Sequence, residues 1–270
     1  MTGWPARRNR RWSRSCPSVM PITDFWDCRT DRLPSQRYLL HELVADVHCG
    51  HNVRSTVFLE ARAMYRPDGP EELRPVGEVD FVQGLAAASA SGLYGPCRAA
   101  AAIVGHANLN LGERVAAVLE ALQAASPNRF RGIRHNVMWD PHPAVDSRAQ
   151  PGTLASPAFR TGAQVLARQG LSFDTFLYFP QLPEVTAFAA AVPDLPIILN
   201  HLGGLLRIGP YANQVSALRA DFARPSYAWR SSNLALKAIL SARVVSWAVP
   251  HPRSLQRLGG YRAGDHNARA

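Results

Sequence analysis

The sequence is almost without lysine: Lys237 stands alone among arginines. No single site could demand the exclusion of one basic residue everywhere, so this reads as a coding bias towards Arg, and the number of arginines says little about function. Long apolar runs are missing too. No stretch approaches the ~18 consecutive apolar residues of a membrane helix, which argues against a spanning segment. There is no Gly-x-Gly-x-x-Gly after an early strand and no Walker-type loop, so an open nucleotide-binding sheet loses its usual support. Cysteine is sparse. Cys16, Cys28, Cys49 and Cys97 are too few and too widely spaced for a disulfide framework in 270 residues, and a reducing, cytoplasmic setting is expected.

Acidic residues are lacking at the two ends, and this decides what the formal net charge of +10 means. Residues 1–20 hold five Arg and no acid; residues 214–270 hold nine basic residues against Asp221 and Asp265. The body between them carries 16 basic and 18 acidic residues. A nucleic-acid binder concentrates positive charge on a folded face with aromatics between, whereas here it sits in two segments with weak folding signals. No nucleic-acid or membrane partner is expected, and a small-molecule substrate is. Three regions follow: a basic leader over 1–20, expected to be disordered; a folded portion over 21–213; and an atypical Arg-rich tail over 214–270. Arg7-Arg8-Asn9-Arg10-Arg11 resembles the charged part of an export signal, but the apolar stretch of about 7 to 15 residues that should follow is absent.

What is present is alternation. Strand-like runs at Val53–Glu60, Ala99–Gly105, Phe130–His135, Leu171–Tyr178 and Pro196–His201 are separated by helical patterns at Val79–Ser91, Gly112–Ala125, Pro157–Gln169 and Gln181–Val192. Repeated βα units of this kind build a parallel sheet with helices on its faces. The class is α/β, and by elimination a (β/α) TIM-like barrel, for which about 250 residues are typical. Ser156 before Pro157 predicts a helix start, and Gly170 predicts its end. The segment Asp140–Gly152, rich in Pro, Asp, Ser and Gly, follows a strand and is either a site loop or an inert surface loop.

In a barrel, side chains at the C-terminal ends of strands build the site. His201 closes its strand before Leu202-Gly203-Gly204 and suits a metal ligand, a general base or an oxyanion partner, unless it only bonds a neighbouring strand. Arg134 and His135 close another; Arg134 either grips a substrate carboxylate or carbonyl, or ties loops together. Asp174, inside a strand, needs a partner and either meets Arg134 across the barrel or faces the opening. Tyr178 and Gln181 stand where that strand opens into its loop, placed to position a substrate or, for Gln181, to cap the loop. His48-Cys49-Gly50-His51 with Cys28 matches no zinc spacing and precedes a strand, at the end away from the site.

Taken in order, His51-Asn52-Val53, Phe58-Leu59-Glu60-Ala61-Arg62-Ala63-Met64-Tyr65, Arg131-Gly132-Ile133-Arg134-His135, Leu171-Ser172-Phe173-Asp174, Pro180-Gln181-Leu182-Pro183-Glu184 and Leu199-Asn200-His201-Leu202-Gly203-Gly204 resemble the amidohydrolase-related superfamily, in its metal-dependent or lactonase-like branch. The resemblance implies a TIM barrel and a hydrolase acting on a lactone or other cyclic ester or amide, by metal- or His-assisted attack of water. It implies a divalent metal, zinc or similar, with His201 a candidate ligand. His201 and Asp174 become catalytic candidates, and Arg62, Arg134, His135, Tyr178 and Gln181 substrate-binding ones. The first strand, Pro21-Ile22-Thr23-Asp24-Phe25-Trp26-Asp27, lacks the family's His-x-His pair, and Phe179 stands near a further histidine of the family. Beyond Tyr211 the resemblance stops, as a frameshifted or rearranged C-terminus would make it do. About six of eight βα units are recognisable, so an incomplete barrel is expected unless Leu234–Leu240 and Ala242–Val249 supply strands. A non-catalytic or truncated member, serving as a binding module, is the alternative.

Overall fold

A computed structural model describes residues 22–27, 37–48, 52–204, 206, 208–212 and 234–235. In chain order the strands and helices are β1 (Ile22–Thr23), β2 (Trp26–Asp27), β3 (Arg37–Tyr38), α1 (Leu40–Val47), β4 (Ser55–Leu59), α2 (Val76–Ala90), β5 (Arg98–Gly105), α3 (Val115–Ala125), β6 (Phe130–Arg134), α4 (Pro157–Arg168), β7 (Ser172–Thr175), α5 (Leu182–Ala191), β8 (Ile197–Leu199) and β9 (Leu234–Ala235). One sheet runs β1-β4-β5-β6-β7-β8-β9, with every neighbouring pair parallel. This is the parallel α/β arrangement that the alternation predicts, of the barrel type reached by elimination. No pairing joins β1 to β9 among the described residues.

The parallel strands β4 to β7 are possible because each is followed by a helix, α2 to α5 in turn, that packs on the sheet. Phe159 of α4, Phe173 of β7 and Phe188 of α5 are fully buried and meet edge to face at centroid separations of 5.6 to 5.9 Å. Burying such a ring stabilises by about 1.5–3 kcal/mol, and the edge-on geometry matches the aromatic quadrupoles. On β7 the neighbouring Asp174 points to the opposite side, since successive side chains of a strand alternate. Packing on the helix side thereby aims polar residues at the barrel interior.

Local chemistry sets the helix ends. Gly170, at φ 68°, donates to Ala167 O at 2.9 Å while Leu171 donates to Leu166 O at 3.1 Å, closing α4 with the paired bonds of a Schellman turn. Pro157 occupies the first turn as expected, but Ser156 makes no side-chain capping bond; its carbonyl accepts from Arg160 N at 3.0 Å. The helix expected from Gly112 begins instead at Val115, because Gly112 at φ 60°, ψ −133° breaks the run into a 3-10 turn over Leu109–Arg114 and then α3. Strand β7 ends at Thr175 and not at Tyr178, which makes a single bridge to Gly204. Between β4 and β5 the register shifts at Ser55/Val57, where Ala100, at φ 47°, donates to Thr56 Oγ1 at 2.9 Å.

Two features were not expected from periodicity: the short antiparallel ribbon β2–β3 and α1. The ribbon is stabilised by Trp26 stacked on Tyr38 at 5.1 Å. In the tail, Leu234 and Ala235 pair with Ile197 and Ile198, so a seventh parallel strand comes from the start of the Leu234–Leu240 segment. The leader 1–20, Ala242–Val249, Cys28, Cys49, Gly50 and His51 lie outside the described residues. Cys97 is buried and free. No helix among the described residues is long and apolar enough to cross a membrane.

Candidate active site

The C-terminal ends of β4, β5 and β6 bring Glu60, His106 and the run Arg134-His135-Asn136 together. Glu60 is only 2% exposed, and its Oε1 accepts from Arg134 Nε at 3.0 Å and Asn136 Nδ2 at 3.4 Å. Arg134 Nη2 also donates to the Glu60 carbonyl. An enclosed ion pair of this kind loses hydration on both sides, and it persists only because hydrogen bonds satisfy its partners. Arg134 is thus committed to Glu60. The expected pairing with Asp174 is replaced by this one, and Asp174 Oδ1 accepts from Asn200 Nδ2 at 3.0 Å.

After Glu60 the chain turns through two left-handed residues, Arg62 at φ 58° and Met64 at φ 56°. Non-glycine residues in that region cost of order 1–3 kcal/mol each and persist only where their surroundings hold them. Glu78 of α2 is the holder. Its Oε1 accepts from Ala61 N at 3.0 Å and from Ala63 N at 2.8 Å, clamping both sides of Arg62. Gly77 lets α2 come close enough: a Cβ there would lie 2.6 Å from Met64 O. Burial, with the Glu60 charge adding to it against the two backbone bonds, pushes the Glu78 carboxyl up to about 8. Tyr65 Oη, Glu60 Oε2, Glu78 Oε2 and Asn136 Oδ1 are buried with no hydrogen bond among the described residues.

The clamped turn presents Arg62 to a cleft of about 540 Å³, lined also by Tyr65, Arg74, His106, Asn108 and His135. Arg62 makes no ion pair among the described residues. The two imidazoles sit 5.5 Å apart, edge to face at 69°. His106 Nδ1 lies 2.9 Å from Arg134 O, and His135 Nδ1 accepts from Leu109 N at 3.3 Å. Burial lowers the pKa of both. His135 is pushed down to about 3, with the His106 and Arg62 charges reinforcing the burial; for His106 the Glu60 carboxylate works against it. Both rings are therefore neutral near pH 7. A neutral imidazole, the guanidiniums of Arg62 and Arg74, which make no ion pair among the described residues, and a concave wall can bind a small polar molecule and move one proton.

Of the candidates named from sequence, Arg62 and His135 line this cleft, and Arg134 stands behind it on Glu60. Tyr178 and Gln181 are elsewhere. Tyr178 Oη donates to Asp146 O at 2.6 Å; Gln181 accepts from Trp139 N at 2.9 Å and Tyr178 N at 3.2 Å and donates to Val137 O at 2.9 Å. Their polar atoms hold loop backbone, the capping role left open for Gln181. The Asp140–Gly152 segment is tied within itself, Asp140 accepting from His142 N at 2.9 Å, and to Tyr211, whose Oη donates to Asp140 at 2.8 Å. His201 is an exposed residue at φ 53°, its ring edge-on to Phe176 at 5.3 Å, and it does not line the cleft. Protein packed round its imidazole, with the Arg134 charge, lowers its pKa.

His106, Glu60 and Glu78 were not singled out from sequence. His106 was within reach, since it directly follows the strand Ala99–Gly105 just as His135 follows Arg134. Glu78 was not, because a carboxylate in a helix carries no local sign of the loop it will clamp.

The described residues do not fit a divalent metal. Among the described residues no three His, Cys, Asp or Glu side chains converge on a point that would hold one. The segment after β1 offers Asp24 and then Phe25, which is fully buried against Phe58, and the Arg134 guanidinium takes the Glu60 carboxylate.

Residues 26–245 match the model of an amidohydrolase family, Amidohydro_2. The uncharacterized protein y4mH of Sinorhizobium fredii (strain NBRC 101917 / NGR234) is 30% identical over 203 residues, 68% of this chain and 62% of that protein. The chain therefore spans somewhat less than two thirds of that relative's length. Two crystal structures of an amidohydrolase from Burkholderia multivorans, one with bound zinc and one with bound HEPES, are 20% and 19% identical, at TM-scores of 0.56 and 0.55. Each match covers 81% of this chain and 69% of the other. At that identity the likeness speaks for the fold.

Proposed function

The chain belongs to the amidohydrolase family, and we propose that it is a hydrolase of a small cyclic ester or amide, a lactone being the simplest case. The observation that carries this reading is the cleft at the ends of β4–β6, where Arg62 and two imidazoles with pKa values lowered by burial share one wall. Arg62 orients the substrate through a carboxylate or carbonyl oxygen. An imidazole takes the proton of the attacking water. Arg134, through Glu60, holds the framework that both depend on. The zinc of the Burkholderia protein has no matching ligand set among the described residues, so no step is assigned to a metal. The substrate is a free small molecule, and the cytoplasm is the compartment we infer from cysteine usage.

The same lack of a ligand cluster favours a second reading, a binding module that keeps the cleft without turnover. One screen separates the two. The purified chain is offered five- and six-membered lactones and lactams, with binding followed by calorimetry and ring opening by proton release, with and without chelator. Turnover insensitive to chelator, and lost with Arg62→Ala, is expected. Saturable binding with no ring opening would replace the hydrolase with the module.

A further inference from the structure

We propose that His106 and His135 are a complementary pair of opposite tautomers, His106 presenting a bare Nε2 as general base and His135 an Nε2–H as donor to the developing oxyanion. The inference deepens the hydrolase reading and rests on it for its chemistry, but the tautomers follow from hydrogen bonding alone. A backbone carbonyl only accepts. With Nδ1 of His106 2.9 Å from Arg134 O, the proton of that ring resides on Nδ1 and the lone pair on Nε2. A backbone N–H only donates. Leu109 N donates to His135 Nδ1 at 3.3 Å, so that ring keeps its lone pair on Nδ1 and carries its proton on Nε2.

Three elements fix this opposition. Arg134, at the end of β6, supplies the carbonyl for His106, which follows β5. The first residue of the 3-10 turn, Leu109, supplies the N–H for His135. Helix α4 presses on that turn through Gly162, where a Cβ would lie 2.3 Å from Leu109 O. Neither imidazole can exchange tautomer without abandoning its backbone partner, which costs about 1–3 kcal/mol for a buried group left unmade. Two neutral rings with the same tautomer would offer two bases or two donors; opposite tautomers offer one of each, 5.5 Å apart between centroids on one wall.

The hydrolytic step then balances. A water O–H bond breaks and its proton passes to His106 Nε2 while the water oxygen bonds to the ring carbonyl carbon. The carbonyl π pair moves to oxygen, which accepts the His135 Nε2–H hydrogen bond. On collapse the ring C–O or C–N bond breaks, and the leaving oxygen or nitrogen takes the proton back from His106. The charge that His106 carries in between is favoured by the Glu60 carboxylate, the one nearby group acting to raise its pKa through charge.

The test is nitrogen NMR of the full chain labelled with 15N-histidine at pH 7, with His106→Gln and His135→Gln assigning the signals. The expected result is a protonated Nδ1 and bare Nε2 for His106, and the reverse for His135. The same tautomer in both, or an imidazolium in either, overturns the pairing. The chemical half is read on dihydrocoumarin, whose opening releases a phenol absorbance. His106→Gln is expected to lower kcat by about 10²–10⁴-fold, as for loss of a general base. His135→Ala is expected to lower it by about 10²–10³-fold, as for loss of an oxyanion donor, and His135→Gln, which keeps an N–H, by clearly less. Equal losses for His135→Gln and His135→Ala overturn the donor role. Opposite tautomers in a chain that opens no lactone or lactam would overturn the hydrolase reading and leave the tautomer assignment standing.

Discussion

The ends of β4–β6 and the ends of β7–β8 lie at the same end of one parallel sheet, yet they use several of their polar side chains differently. On the first side Arg62, His106 and His135 face a cleft, and Glu60, Tyr65, Glu78 and Asn136 each keep a buried polar atom with no hydrogen bond among the described residues. On the second side Gln181 accepts from two backbone N–H groups and donates to the Val137 carbonyl, Tyr178 donates its hydroxyl to Asp146 O, and Asp174 meets Asn200, whose Oδ1 is buried with no hydrogen bond among the described residues. The lesson is that position at a strand end makes a residue available for chemistry but does not assign it. What assigns it is whether the fold has already consumed its hydrogen bonds.

The sharpest way to break this contrast is to remove the charge behind the cleft. Arg134→Met keeps much of the side chain's length and leaves Glu60 buried with only Asn136 as a side-chain donor. Loss of one partner of a buried pair costs about 3–5 kcal/mol, and chemical denaturation should show it as a midpoint shift. A shift below ~1 kcal/mol, the scale of an exposed pair, would mean that water reaches Glu60 and that the framework is looser than its 2% exposure indicates. Glu60→Gln with Arg134→Met should recover part of the loss, because no uncompensated charge remains.

A smaller effect is expected on the other side. Gln181→Leu leaves the N–H of Trp139 and Tyr178 and the carbonyl of Val137 without their partner, at about 1–3 kcal/mol for each group that stays buried, less whatever water recovers. Stability should fall while the 15N signals of His106 and His135 stay in place. Movement of those signals would show that the two sides are one mechanical unit.

How much of this was legible in the sequence differs between the same two regions. The strands, the close of α4 at Gly170 and the parallel sheet came from short-range signals: apolar runs, a proline in the first turn, a glycine at a helix end. Arg134 and His135 were found because they end a strand, and Arg62 because it stands in a run that resembles the family. The pairing of Arg134 was not readable. Glu60 and Asp174 are both carboxylates at strand ends, and only the relative placement of β4, β6 and β7 chooses between them. The ribbon β2–β3 escaped because its two-residue strands are too short to show alternation. Tyr178 and Gln181 were read as site residues from their location, and their backbone partners, 32 and 44 residues away for Asp146 and Val137, could not be seen from local pattern.

The finest test of the contrast is pH, because the cleft side carries groups shifted in opposite senses, His106 and His135 downward and Glu78 upward. His135 falls from 6.5 to about 3 on folding, so the unfolded chain binds the extra proton between these values. Its contribution is complete above pH 6.5 and is lost as pH falls towards 3. Glu78 rises from 4.5 to about 8, so here the folded chain binds the extra proton. Its contribution is complete below pH 4.5 and is lost as pH rises through 8. Each uncompensated proton gives a slope of about 1.4 kcal/mol per pH unit. Between pH 4.5 and 6.5 these two slopes have opposite sign and cancel, so the lowered His106 and His201 set the trend there, a rise with pH, and stability declines above 6.5 as Glu78 loses its proton. Glu78→Gln keeps an acceptor for Ala61 N and Ala63 N without a titrating proton. It should match the parent within about 1 kcal/mol at pH 4, exceed it by about 2 kcal/mol at pH 6, and abolish the alkaline decline while steepening the rise with pH below 6.5. If the alkaline decline survives in Glu78→Gln, the buried proton is not on Glu78. The clamp round Arg62 would then be an ionised carboxylate, and the cleft would hold one more negative charge at the pH where the two imidazoles are neutral.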